Sequence, residues 1–167
     1  MRAAGLIRGT YHYALPQYSA ILQTQHYAAV LATNTTSLDL PPALDLEETG
    51  GLSPAALQIW VRAFLTTLDK LTGRQTIIYV SPGFWRYQMG NTTEFSERPL
   101  WIADYNGKQS PTLPLPGGWK TWTFWQYSSQ TRIDGIQAQN VDTNKFGGTM
   151  QQLRAFAATG VVSASKK

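Results

Sequence analysis

Apolar residues recur at helical spacing most clearly in one segment. Leu57, Trp60, Val61, Phe64, Leu65, Leu68 and Leu71 fall on one stripe, with Ser53 as N-cap, Pro54 at the first helical position and Gly73 as the stop. Elsewhere the pattern is short and strand-like: residues 9–14, 43–46, 76–80, 100–105 and 123–127 are apolar runs bounded by turn residues. A helix is predicted from Pro16 to about Val30, with Tyr18, Ile21, Leu22, Ala28 and Ala29 on its core face. Arg2 to Leu6 reads as the end of an earlier helix capped at Gly5. Ser81-Pro82 opens a short helix through Trp85 and Tyr87, residues 146–158 close as a helix, and residues 161–167 read as a flexible tail.

Strand alternating with helix argues for a parallel α/β arrangement. The pattern changes after Tyr105. A Pro/Gly-rich loop over 110–118 has no helical period, and only a few turn residues, Asp134-Gly135 among them, separate Tyr127 from a strand near 136–141. That is too short for a parallel crossover, so the last strands form a hairpin. The expected fold class is α/β: an incomplete, irregular (β/α) TIM-like barrel of about six strands, its last strands without regular crossover helices. Residues 1–160 make one truncated barrel domain, with neither an internal repeat nor a dividing linker.

Composition narrows the options. The 167 residues are 43% hydrophobic and 14% charged, enough for a sizeable core in one domain. No apolar run approaches a membrane span, no segment near the N-terminus reads as a signal peptide, and there are no cysteines to form disulfides or thiolate metal sites. The net charge is +4, with Lys166 and Lys167 supplying two of the charges and the rest scattered singly. Neither a nucleic acid nor a membrane is therefore an expected partner, whereas anionic polymers such as cell walls are.

The candidate chemistry lies in Pro42-Ala43-Leu44-Asp45-Leu46-Glu47-Glu48. Strand alternation puts Asp45 and Glu47 on one face and Leu44, Leu46 and Glu48 on the other. Two adjacent, half-buried carboxylates do not both ionise cheaply, so one keeps a proton and can act as a general acid. Spacing alone does not choose between them. Tyr11 and Tyr13, Tyr79 and Ser81, Asp104 and Tyr105, Trp125, Gln126 and Tyr127, and Asp142 also sit near strand ends, where barrels of this kind keep their sites. Carboxylates interleaved with rings suit a carbohydrate cleft, rings packing on sugar faces while carboxylates carry out hydrolysis. Trp60 and Phe64 belong to the core, and for Trp125 and Tyr127 core and cleft roles are both open.

Six ordered motifs point further. Gly9-Thr10-Tyr11-His12-Tyr13-Ala14, Ala43-Leu44-Asp45-Leu46-Glu47, Ile78-Tyr79-Val80-Ser81 with Phe84-Trp85, Pro99-Leu100-Trp101-Ile102-Ala103-Asp104-Tyr105, Trp122-Thr123-Phe124-Trp125-Gln126-Tyr127-Ser128, and Gly135-Ile136 followed by Val141-Asp142-Thr143-Asn144 occur in that order. From about Arg2 to Ala158 the chain resembles glycoside hydrolase family 25, the Chalaropsis-type N-acetylmuramidases of phages, bacteria and fungi. The resemblance implies hydrolysis of the β-1,4 bond between N-acetylmuramic acid and N-acetylglucosamine in peptidoglycan, without metal or cofactor. It implies Glu47 as general acid, expected to have a raised pKa beside an ionised Asp45, with Asp45 as its partner stabilising positive charge or orienting the N-acetyl group, and Asp142 as a third acidic residue. It also implies Tyr11, Tyr79, Asp104, Tyr105, Trp125 and Tyr127 as substrate-binding positions, less securely, with surface or structural duty equally open for Asp104 and a scaffold role for His12. A secreted or phage-released enzyme acting at the cell wall is the implied setting.

The chain departs from that family at its start. The family opens with a strand bearing an Asp motif and then a second strand, and this sequence is expected to begin in the helix that follows. Two βα units, about 60 residues, are thus expected to be missing, with one acidic residue of the cleft. Two other readings stay open: a carbohydrate-binding remnant that no longer turns over, and a different β-glycosidase sharing the barrel. The unpaired edge of the first strand leads us to expect a homodimer covering the open side.

Overall fold

The computed structural model describes residues 4–36, 38–138 and 140–161; the flexible-tail expectation beyond Val161, and most of the helix end expected before Gly5, lie outside them. Strand β1 is Tyr11–Tyr13, followed by helix α1, Ala20–Asn34, and β2, Ala43–Asp45. Helix α2 is Pro54–Thr72, then come β3, Ile77–Val80, and α3, Pro82–Tyr87. The remaining elements are β4, Leu100–Ala103, β5, Phe124–Thr131, β6, Val141–Phe146, and α4, Met150–Thr159. The strands form one curled, six-stranded sheet in chain order, a half-barrel. β1 to β5 run parallel, and β6 returns antiparallel to β5, the hairpin that the short connection requires.

Alternation along the strands gives the sheet two different faces. The outer face carries Leu44, Ile78, Val80, Leu100, Ile102 and Trp125, packed with Leu57, Val61, Phe64, Leu65 and Leu68 of α2 into the main core. On the concave face one register row crosses all six strands: Tyr13, Asp45, Tyr79, Trp101, Phe124 and Phe146. Below it, Phe156 of α4 plugs the end of the half-barrel against Ala43 and Ile77. Arg74 ties that plug down, donating to the carbonyls of Asp39 at 2.7 Å and Ala157 at 2.5 Å.

Helix α2 matches its sequence signals, with Ser53 Oγ accepting from the Ala56 N–H and Gly73 at φ 67° ending it, although Leu71 is exposed. Helix α1 differs. It starts at Ala20 with Ser19 as N-cap, because residues 15–18 form a turn: the Tyr18 N–H donates to the Leu15 carbonyl and Gln23 clasps both backbone groups of Leu15. The core face is accordingly Ala20, Thr24, Tyr27 and Leu31, while Tyr18, Ile21 and Leu22 are exposed. The last strand and helix are also shifted. β6 occupies 141–146 rather than 136–141, and α4 begins only after a Thr149/Gln152 capping box. Phe146 ends the strand instead of opening the helix.

Candidate active site

The site is built on the C-terminal end of β2. Leu44 and Leu46 are fully buried on the helix side, which drives Asp45 to the concave face, where it is 9% exposed. The Leu46 N–H donates to the Tyr79 carbonyl, holding the chain in register one residue past the strand, and Glu47 emerges into the open cleft. The loop then turns back sharply at Gly50, whose φ is 58° and where a Cβ would lie 2.3 Å from the Gln17 backbone nitrogen.

Asp45 and Glu47 share a hydrogen bond. Burial, the charge of Glu47, that hydrogen bond and the charge of Asp142 together push the Asp45 carboxyl up to about 7. Asp45 Oδ1 is fully enclosed and accepts from no donor among the described residues. A retained proton resolves this, because a protonated Asp45 donates to Glu47 instead of seeking a donor. The expectation that Glu47 carries the raised pKa beside an ionised Asp45 is therefore corrected. Asp45 holds the proton, because it is the enclosed member of the pair.

Around this pair the sheet collects hydroxyls and rings. Tyr79 Oη donates to Gln126 Oε1 at 2.8 Å, and Tyr105 Oη donates to the same oxygen. Burial, with Tyr105, Glu47 and Asp45 nearby, pushes the Tyr79 phenol far up, so it stays protonated. Tyr13 Oη donates to Glu48 at 2.9 Å; that bond, with Glu47 and Asp45 also near, raises the Tyr13 phenol to about 12. Trp101 packs edge-on against Tyr79, its Nε1 donating to Asn144 Oδ1 at 2.8 Å. Tyr11 is 61% exposed beside a cavity of about 350 Å³ lined by Gly9, Ala43, Ile77, Trp101 and Phe124.

The structure thus gathers Asp45, Glu47, Asp142, Tyr79 and Tyr105, with Tyr11 at the rim. It does not bring Trp125 or Tyr127 into the cleft. Both alternate with Gln126 onto the outer face, where Trp125 is 1% exposed, donates from Nε1 to the Asp104 carbonyl and packs beside Tyr127 under Lys145. The Asp104 carboxylate is taken up by its own loop, accepting from the Thr112 N–H at 2.7 Å and from Asn106 Nδ2. His12 is scaffold, bonded to Gln23 Oε1 and packed against Tyr27 and Phe64. Trp101 is the cleft residue that the sequence candidates omit, while Tyr13 and Gln126 stand among them at strand ends without a substrate role and Glu48, expected on the other face, meets Tyr13 here. Tyr13, Trp101 and Gln126 follow from strand parity once Asp45 is placed on the concave face. Among the described residues, no group of three His, Asp or Glu side chains is placed to hold a metal ion.

Comparison with known proteins fits this geometry. Residues 1–136 match the profile of glycosyl hydrolases family 25, and the chain belongs to that family. It is similar to an N,O-diacetylmuramidase of Arthroderma benhamiae, with 38% identity over 162 residues, covering 92% of this chain and 65% of the relative. It is similar to a lysozyme of Streptomyces globisporus, with 34% identity covering 92% and 54%. Among solved structures, the bacterial lysozyme of Streptomyces coelicolor superposes with a TM-score of 0.81 at 33% identity, covering 94% of this chain and 75% of that one. The chain spans about half the length of several curated relatives that it matches.

Proposed function

We propose that this chain is a peptidoglycan muramidase acting at the cell wall, secreted or released there. It would hydrolyse the β-1,4 bond between N-acetylmuramic acid and N-acetylglucosamine without a cofactor. The hydrogen-bonded Asp45–Glu47 pair at the end of β2 carries this reading, because it keeps a proton at neutral pH beside an open cleft. Glu47, the exposed member, reaches the glycosidic oxygen as general acid, taking up the proton that Asp45 holds as it gives one to the leaving oxygen. Asp45, enclosed behind it, holds the shared proton and stabilises positive charge on the sugar as it ionises. Asp142, whose charge is felt by Asp45, adds negative potential as charge develops.

Digestion of purified cell walls with reducing-end analysis tests the proposal. Muramic acid at the new reducing ends is the expected product, and glucosamine there would point to a different glycosidase. Glu47→Gln should lower turnover by about 1,000-fold with little change in wall affinity, since proton donation acts in the transition state. Asp45→Asn should cost a similar factor, and the double variant no more than either alone. Turnover of Glu47→Gln within tenfold of the parent would remove Glu47 from this role. The uncovered cavity beside Tyr11 favours a second reading, a carbohydrate-binding remnant, whose signature is wall binding without product release.

A further inference from the structure

Gln126 stands on the concave face yet is 3% exposed, an uncommon place for a primary amide. Its Oε1 accepts from the hydroxyls of both Tyr79 and Tyr105, which fills the two lone pairs of that oxygen. The opposite amide orientation is disfavoured. With the amide turned over, Nε2 would donate to both hydroxyls, and the contact between Tyr79 and Tyr105 could then take one of their two protons but not both. Gln126 Nε2 has no protein acceptor among the described residues. Nε2 is not among the fully enclosed atoms left without a partner, as Asp45 Oδ1 is, so it opens onto the cleft.

We infer that Gln126 is a substrate-reading residue, its Nε2 held by the two tyrosines to donate to the carbonyl oxygen of a sugar's 2-acetamido group bound beside Asp45 and Glu47. The amide can only donate in this setting, because its oxygen is fully occupied. A donor-only group favours a partner that only accepts. A carbonyl oxygen is such a partner, whereas a sugar hydroxyl brings a proton that also needs an acceptor. Tyr79 lies in register with Asp45, which places the reading group next to the carboxylate pair. The inference rests on the saccharide-cleft reading above but does not require turnover.

Binding separates the two. N-acetylglucosamine oligomers and cello-oligosaccharides of equal length are both uncharged and differ at the 2-position, which is acetamido in one and hydroxyl in the other. Their affinities for the parent and for Gln126→Glu can be measured by calorimetry. The glutamate keeps both acceptor sites for Tyr79 and Tyr105, removes the donor, and adds a charge that the two uncharged oligomers meet alike. Binding of the acetamido oligomer should weaken by about 10- to 100-fold, and binding of the cello-oligosaccharide should change by less than about twofold, so that the parent's preference collapses. Equal affinity of both proteins for the acetamido oligomer, or an equal loss for both ligands, would overturn the assignment, as would a parent that does not prefer the acetamido oligomer. Tyr105→Phe, which frees one lone pair of Oε1, should lower the same preference partially. A parent that shows the preference but releases no reducing ends from walls would sink the hydrolase proposal and leave this one standing.

Discussion

A carboxyl that ionises only at about 7 affects stability as well as chemistry. An unfolded aspartate has a pKa near 3.8, so between that value and about 7 the folded chain holds the Asp45 proton that the unfolded chain has lost. Unfolding then releases a proton, and the Asp45 contribution to stability falls as pH rises through this window, by at most about 1.4 kcal/mol per pH unit, and levels off above it. Asp45→Asn should flatten that slope and make the fold more stable at pH 7 to 8, because the amide can donate to Glu47 permanently. Denaturant titrations of both proteins across pH 4–8 measure the difference, and parallel curves would remove Asp45 as the enclosed acid. Wall lysis by the parent should decline as pH rises through about 7, as the shared proton is lost; activity flat from acid to alkaline pH would contradict the paired-carboxylate site. That a proton is shared was legible in the Asp-Leu-Glu spacing. Which member keeps it was not, because that depends on enclosure by Tyr79 and its neighbours across the sheet. Trp125 and Tyr127 were ambiguous for a related reason: alternation pairs them with Gln126, but only the register of β5 against β4 says which face is concave.

At the scale of elements, α2 was legible because cap, first-turn proline, stripe and stop agree, Leu71 alone falling outside the buried face. α1 was not, since Pro16 is a good helix opener whose role here is to begin a turn that Gln23 closes from four residues past Ser19. The polar β6 was displaced for want of an apolar signal: four of its six residues, Asp142, Thr143, Asn144 and Lys145, are polar. Loop 106–122 hides another determinant. Gly117 has φ 58°, its N–H donates to Asn91 Oδ1 at 2.7 Å, and a Cβ there would lie 2.2 Å from Trp85 Nε1 and 2.9 Å from both the Thr92 carbonyl and the Trp119 ring. Trp85 and Trp119 pack edge-on at 4.6 Å in the main core, so neither ring can retreat. Gly117→Ala should therefore cost about 3 kcal/mol and about 10 °C in Tm. Gly135→Ala, also at positive φ but with nothing within 4 Å, should cost only about 1 kcal/mol. Thermal unfolding of the two variants checks the contrast, and equal losses would mean that backbone conformation alone sets the cost.

For the molecule as a whole, β1 is the open feature. Among the described residues it pairs with β2 alone. The Ala43 N–H donates to the Thr10 carbonyl and the Ala14 N–H to the Asp45 carbonyl, so by alternation the backbone groups of Tyr11 and Tyr13 face away from β2, along the edge. Both side chains are exposed, and the apolar cavity of about 350 Å³ opens beside them. An uncovered edge next to an apolar concavity is a template for another chain. Expressed as these 167 residues, the protein should self-associate, two copies of β1 pairing antiparallel across a two-fold axis so that each half-barrel covers the other's opening. Light scattering over a dilution series reads the association. Hydrogen exchange assigns it to the edge, because the Tyr11 and Tyr13 amides should be protected at high concentration and lose protection on dilution, while the Ala14 and Ala43 amides stay protected throughout. Tyr11→Lys, which places a charge beside the pairing edge and away from the Asp45–Glu47 pair, should shift the association to higher concentration. A clean monomer at high concentration with Tyr11 and Tyr13 already protected would discard the dimer in favour of a segment of the same chain closing over β1.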